Sequence, residues 1–247
     1  MGVVSTAAER REELKLVYRQ ASVCERCPQL AATRTHVVFG SGDADADLMF
    51  VGEAPGANED QQGVPFVGQA GKLLDRLLGE IGLTRADVFV VNVLKCRPPQ
   101  NRDPLPQEID NCQDYLFRQL ELIEPRVVCT LGNFATKLLR GDPAGITRLH
   151  GQPEVRTIGP RTVRLFPIYH PAAALYTRSL LETLQADFAK LPDLLALDPP
   201  PQPERAAEER PAVPEPGLAA EPDGPPAAPE PSGEDAEPPG GDQLGLF

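Results

Sequence analysis

Four short apolar runs constrain this chain more than any other feature. They are residues 47–54 (DLMFVGEA), 87–94 (DVFVVNVL), 127–132 (VVCTLG) and 163–170 (VRLFPIYH). Each has the length of a strand and is nearly continuous in Val, Leu, Ile and Phe. That pattern belongs to strands buried on both faces, as in a parallel sheet. The segments between them carry helical spacing. Leu73, Leu74, Leu77, Leu78 and Ile81 mark residues 71–81, and Ile109, Tyr115, Leu116, Leu120 and Ile123 mark 107–124. Residues 133–139 and 179–195 follow the same logic, and an amphipathic helix is expected over 7–21. Alternating strands and helices predict a three-layer α/β fold around a central four-stranded parallel sheet. No internal repeat is present. Ligands bind such sheets at the carboxyl ends of the strands. Three of the four ends here carry notable polar groups: Glu53 between Gly52 and Gly56, Asn92, and His170 before Pro171.

Charge divides the chain in two. The net charge is −12. Residues 198–247 hold twelve acidic side chains and two arginines, so residues 1–197 carry only about −2. Half of the 28 prolines also fall after 197. A Pro- and Glu-rich, apolar-poor segment cannot bury a core, so 1–197 is read as the folded domain and 198–247 as a disordered acidic tail. A near-neutral domain can still bind nucleic acid when its cations share one face. No stretch has the length of a membrane span, and the start lacks a signal-peptide core. A soluble, cytoplasmic monomer without membrane partners is expected. Five cysteines in a reducing compartment favour metal binding over disulfides.

Four motifs carry chemistry. In Gly52-Glu53-Ala54-Pro55-Gly56-Ala57-Asn58-Glu59-Asp60 a strand runs into a tight turn that brings backbone N–H groups close to a ligand. Glu53 or Glu59 can orient water there, and loop acids in solvent are an equal alternative. Asn92 can donate and accept, as reading a pyrimidine edge requires, although strand asparagines are more often structural. His170 at a strand end can donate to an oxygen that gains charge. The following Ala-rich loop offers one large apolar residue, Leu175, as a wedge for a base stack. His36 and His150 are read as structural. Cys24 and Cys27 form a two-residue-spaced clip, and Cys96 and Cys112 are separated by fifteen intervening residues. Four thiolates suit zinc or an iron–sulfur cluster, and spacing alone leans to the commoner zinc. Cys129, inside an apolar run, is expected to be a buried, inert thiol.

GEAPGANEDQQGVPFVGQAGKLLD, VNVLKCRPPQNRDP and HPAAAL, together with the four cysteines, resemble family 4 uracil-DNA glycosylases over residues 17–195. The resemblance implies the uracil-DNA glycosylase fold and hydrolysis of the deoxyuridine N-glycosidic bond to begin base excision repair. It implies a [4Fe-4S] cluster on Cys24, Cys27, Cys96 and Cys112. It also implies that Gly52 and Gly56 border the uracil pocket and that Phe66 stacks on a flipped uracil, excluding the thymine methyl. Asn92 then reads the uracil edge, His170 contacts O2 and Glu53 serves the attacking water. A related subgroup that forms a covalent DNA adduct has Gln after the motif Glu, where this chain has Ala54. A non-catalytic iron–sulfur module that senses DNA damage is the competing reading.

The sequence closes on Gln243, Leu244, Gly245, Leu246 and Phe247. This resembles the peptide by which bacterial repair proteins dock on the replication sliding clamp. Leu244, Leu246 and Phe247 would enter an apolar groove while Gln243 hydrogen-bonds at its rim.

Overall fold

The computed structural model describes residues 6–203. Six strands form one sheet in the order β1-β3-β2-β4-β6-β5: β1 Ser41–Gly42, β2 Leu48–Gly52, β3 Phe89–Asn92, β4 Val127–Leu131, β5 Glu154–Ile158 and β6 Arg161–Ile168. The expected four-stranded parallel sheet is its centre, β3-β2-β4-β6. Two antiparallel edge strands extend it, β1 on β3 and β5 on β6. Neither carries an apolar run. β1 is two residues long, and β5 (EVRTI) is partly solvated.

β2, β3 and β4 are buried end to end, which is why their sequences do not alternate. Their side chains still alternate between two cores. Met49, Val51, Phe89, Val91 and Val128 face one cluster, which takes in helices Ala7–Ser22 and Pro106–Ile123. Leu48, Phe50, Val90, Val127 and Cys129 face the other, beneath helices Gln69–Glu80 and Arg178–Phe188. The result is helices on both sides of the sheet. No helix among the described residues is long and apolar enough to cross a membrane.

The chain passes from β2 to β3 on one side, then returns across β2 to β4 on the other. A crevice opens outside the carboxyl ends where the order reverses. The β2 end delivers Gly52 and Glu53, the β3 end Asn92, and the segment after β6 delivers His170.

Candidate active site

A cavity of about 290 Å³ occupies that crevice. Its walls include Glu53, Gly56, Glu59, Phe66, Asn92 and His170, so the structure brings together residues from three separate motifs. Gly52 lies in the strand directly beneath. A β-carbon there would strike the Asn92 amide oxygen and the Phe66 ring, so only glycine lets the two side chains meet.

Asn92 is 2% exposed and pairs across the sheet with Gly52. No protein hydrogen bond to its side-chain amide is found among the described residues. The amide atoms are not sealed away: they open onto the cavity, where a ligand can reach them.

Phe66 is buried, with its ring centroid 5.7 Å from that of His170 and the two planes 27° apart. Its backbone is left-handed, φ +55°. For an aromatic residue this costs about 1–3 kcal/mol and persists only where neighbours over-determine it.

His170 begins the short helix Pro171–Ala174, and its Nδ1 accepts the Ala172 N–H at 3.1 Å. A neutral imidazole so bound carries its proton on Nε2. Burial lowers the His170 pKa to about 4, against an opposing pull from Glu59, so the ring is neutral at neutral pH. The site therefore presents a neutral N–H donor.

The two loop carboxylates part ways. Glu59 accepts the N–H groups of Gly56 at 3.1 Å, Val67 at 3.0 Å and Gly68 at 2.9 Å. It is a brace that ties the turn after β2 to the loop carrying Phe66. Glu53 has no such engagement, and burial, helped by Asp103, raises its pKa. Of the two, Glu53 is the one free to act on water.

Other placements differ from the sequence reading. Leu175 is half-buried against the second core cluster, whereas its neighbour Tyr176 is 92% exposed. Tyr176, not Leu175, is the side chain that stands out from this loop. The far wall includes Pro98, Asn101 and Arg102, which lie within VNVLKCRPPQNRDP without an individual role in the sequence reading. Gln100 and Asn101 there take left-handed backbone, a hint available from a Pro-Pro-Gln-Asn run only with hindsight. His36 and His150 both have partners, the Asp60 carbonyl and the Asp187 carboxylate, each at 3.0 Å. Cys129 is fully buried, which drives its thiol pKa upward.

Cys24, Cys27, Cys96 and Cys112 line one enclosed cavity on the opposite side of β3. They come from the end of helix Ala7–Ser22, the loop after β3 and helix Pro106–Ile123. Among the described residues no group of three or more His, Cys, Asp or Glu side chains makes a site for a single metal ion. The thiols instead wall the cavity, and N–H groups point at their sulfurs. Lys95 N lies 3.3 Å from Cys112 Sγ, Arg34 Nη1 3.4 Å from Cys96 Sγ and Asn111 Nδ2 3.6 Å from Cys27 Sγ. Burial pushes the Cys112 thiol up to about 11 and raises Cys96 as well, against the opposing pull of Lys95 on the first and Arg34 on the second. Four thiols around a cavity, with N–H donors behind them, fit the donor set of an iron–sulfur cluster. The sequence-proposed clamp residues, Gln243, Leu244, Leu246 and Phe247, lie outside the described residues.

Comparison with known proteins agrees with this geometry. The family model of the uracil DNA glycosylase superfamily matches residues 39–194. The type-4 uracil-DNA glycosylase of Archaeoglobus fulgidus is 47% identical over 188 residues, covering 74% of this chain and 94% of that protein. Those of Sulfurisphaera tokodaii and Saccharolobus solfataricus are 45% and 44% identical, covering 74% and 76% of this chain and 85% and 89% of their own.

Proposed function

This chain belongs to the uracil DNA glycosylase superfamily, and from that premise we propose that it excises uracil from DNA as a monofunctional, type-4-like glycosylase. The observation that carries the proposal is the single cavity in which Glu53, Phe66, Asn92 and the Nε2–H of His170 converge.

Unstacking a uracil nucleotide into this cavity costs a few kcal/mol, offset by contacts with the base. Phe66 covers one ring face and crowds the C5 position, where thymine carries a methyl. The Asn92 amide, open to the cavity, answers the donor and acceptor on the uracil edge. As the C1′–N1 bond breaks, its electron pair moves onto the base, and His170 Nε2–H donates to the charged O2. A neutral donor already fixed by Ala172 needs no reorganisation as that charge grows. Glu53 orients a water whose oxygen bonds to C1′ and accepts the proton that water releases.

Cys24, Cys27, Cys96 and Cys112 would hold a [4Fe-4S] cluster. When bound, it supplies iron–thiolate bonds that cross-link the N-terminal helix, the loop after β3 and helix Pro106–Ile123. The domain is proposed to span 1–197 with a tail over 198–247. Gln243, Leu244, Leu246 and Phe247 are proposed, on sequence alone, as a ligand for the sliding clamp. Deleting 243–247 is expected to abolish clamp binding and leave cleavage of short DNA unchanged.

The test of the main proposal is direct. The purified brown protein is incubated with a uracil-containing oligonucleotide, and abasic sites are then cleaved with alkali. Strand scission at uracil is expected. Its absence from iron-replete protein overturns the reading in favour of a non-catalytic module. A protein–DNA adduct that survives denaturation overturns it in favour of covalent trapping.

A further inference from the structure

We propose that Arg85, which lies outside the cavity, is the positioning residue that sets Phe66 against the base. The inference rests on the reading above, in which Phe66 stacks on uracil.

The Phe66 ring faces the cavity, while its carbonyl points the other way, into a separate open groove of about 780 Å³ behind the loop. Arg85 sits in that groove. Its Nη2 donates to the Phe66 carbonyl at 2.9 Å and reaches the Gly71 carbonyl at 3.4 Å, while its Nε pairs with Asp75. One guanidinium thus joins the strained loop residue to the helix Gln69–Glu80.

Two further facts make this contact decisive rather than incidental. Phe66 is left-handed, and the direction of its carbonyl is what distinguishes that state from an ordinary one. A donor fixed behind that oxygen opposes the peptide rotation that would relax the backbone. The second fact is Gly71, where a β-carbon would overlap the Phe66 carbonyl. The oxygen is flanked by Gly71 on one side and the Arg85 guanidinium on the other.

Arg85 is also well placed to set register. It opens the turn Arg85–Asp87, which Thr84 and Asp87 cap reciprocally, directly ahead of β3. The far end of β3 is Asn92. The residue that stacks on the base and the residue that reads its edge are therefore referenced to one short element. Glu59 fixes the next two N–H groups of the same loop from the cavity side. Among the described residues, Arg85 is the donor that holds the carbonyl from behind.

The Arg85 side chain is 29% exposed, so its removal buries no charge and the fold tolerates it. Four proteins are compared with wild type: R85M, R85K, F66A and R85M/F66A. The readouts are kcat and KM on a uracil oligonucleotide, and inhibition by free uracil. R85M is expected to raise both KM and the inhibition constant about tenfold, the weight of one hydrogen bond from a charged donor, with kcat within about threefold. R85K should recover part of the loss. R85M/F66A should be no worse than F66A, because Arg85 acts only through Phe66. Wild-type inhibition constants in R85M, or losses that multiply in the double variant, would overturn the inference while leaving the function intact. Unchanged uracil inhibition in F66A would instead remove both the inference and the stacking role on which it rests.

Discussion

Replacing Glu59 by Gln isolates its role as a brace between the two loops. The carboxylate accepts three backbone N–H groups, Gly56 on one oxygen and Val67 with Gly68 on the other. Gln offers a single oxygen. Its best placement keeps Val67 and Gly68 and turns an NH₂ group toward the Gly56 N–H. One charge-assisted hydrogen bond, worth about 1.5–3 kcal/mol, is lost outright, and the other two weaken to neutral strength. Glu59 is half-buried, so water can recover part of this, and a net cost of about 2–3 kcal/mol remains. In a domain of this size that lowers Tm by roughly 4–12 °C. The catalytic effect should be larger than stability explains, because the two walls of the cavity are no longer tied. Displacing a pocket wall by about 1 Å costs on the order of 100-fold in rate. Calorimetry gives the first number, and kcat/KM measured well below the variant Tm gives the second. Glu59→Asp, one methylene shorter, should fail similarly because it cannot span both loops. A wild-type Tm, or an activity loss that matches the unfolded fraction, would falsify the brace.

The pH dependence should separate Glu53 from His170. Glu53 must be ionised to accept a proton, and its raised pKa places the acid limb of kcat/KM above the ordinary carboxylate value. Glu53→Gln should remove this limb along with most of the rate, whereas a limb that disappears in His170→Asn assigns it to the histidine instead. His170 acts on stability with the opposite emphasis. Above 6.5 it is neutral folded and unfolded and contributes nothing; as pH falls toward 4 the unfolded chain takes the proton first. Stability should therefore decline across that window by up to about 3 kcal/mol, and His170→Asn should flatten the decline in a denaturation series. On the loop after His170, Tyr176→Ala should weaken binding to uracil DNA several-fold, about 1 kcal/mol for a lost stacking contact. Leu175→Ala should act mainly on Tm. The reverse pattern restores Leu175 as the wedge.

The fold was legible wherever burial was complete. β2, β3 and β4 announce themselves because a strand buried on both faces has no freedom to be polar. β1 and β5 were silent for the converse reason: edge strands need only backbone pairing on one side. Single-residue identities at the strand ends, Glu53, Asn92 and His170, also showed through, since a polar group after an apolar run stands out. Relations between residues did not. Nothing in the motif separates Glu53 from Glu59 until the loop at Val67 and Gly68 folds back onto one of them. Arg85 belongs to no pattern at all, because its role is a carbonyl nineteen residues away in sequence. The burial of Leu175 and the exposure of Tyr176 were hidden for a related reason. Helical phase after Pro171 turns Leu175 toward the core and leaves the next residue outside.

Lys95 joins the two sites that the sequence presents separately. It is 1% exposed, yet its N–H approaches Cys112 Sγ and its Nζ donates to the Asn92 carbonyl at 2.8 Å and to Gln119 Oε1 at 2.6 Å. Gln119 passes the link on to the Phe39 carbonyl. One residue thus ties the cysteine cavity to the strand end that carries Asn92. Burying an amine is expensive, and an apolar replacement of similar size is often tolerated in stability. Lys95→Met should accordingly cost no more than about 1–3 kcal/mol, the price of two carbonyl acceptors left without donors. Its effect on Asn92 should be out of proportion: weaker inhibition by free uracil at unchanged iron content. Cys112→Ser should lose iron and show the same weakening of uracil binding. If Cys112→Ser loses iron but binds uracil as tightly as wild type, the cysteine site and the base-reading strand are independent, and Lys95 is merely a buried cation.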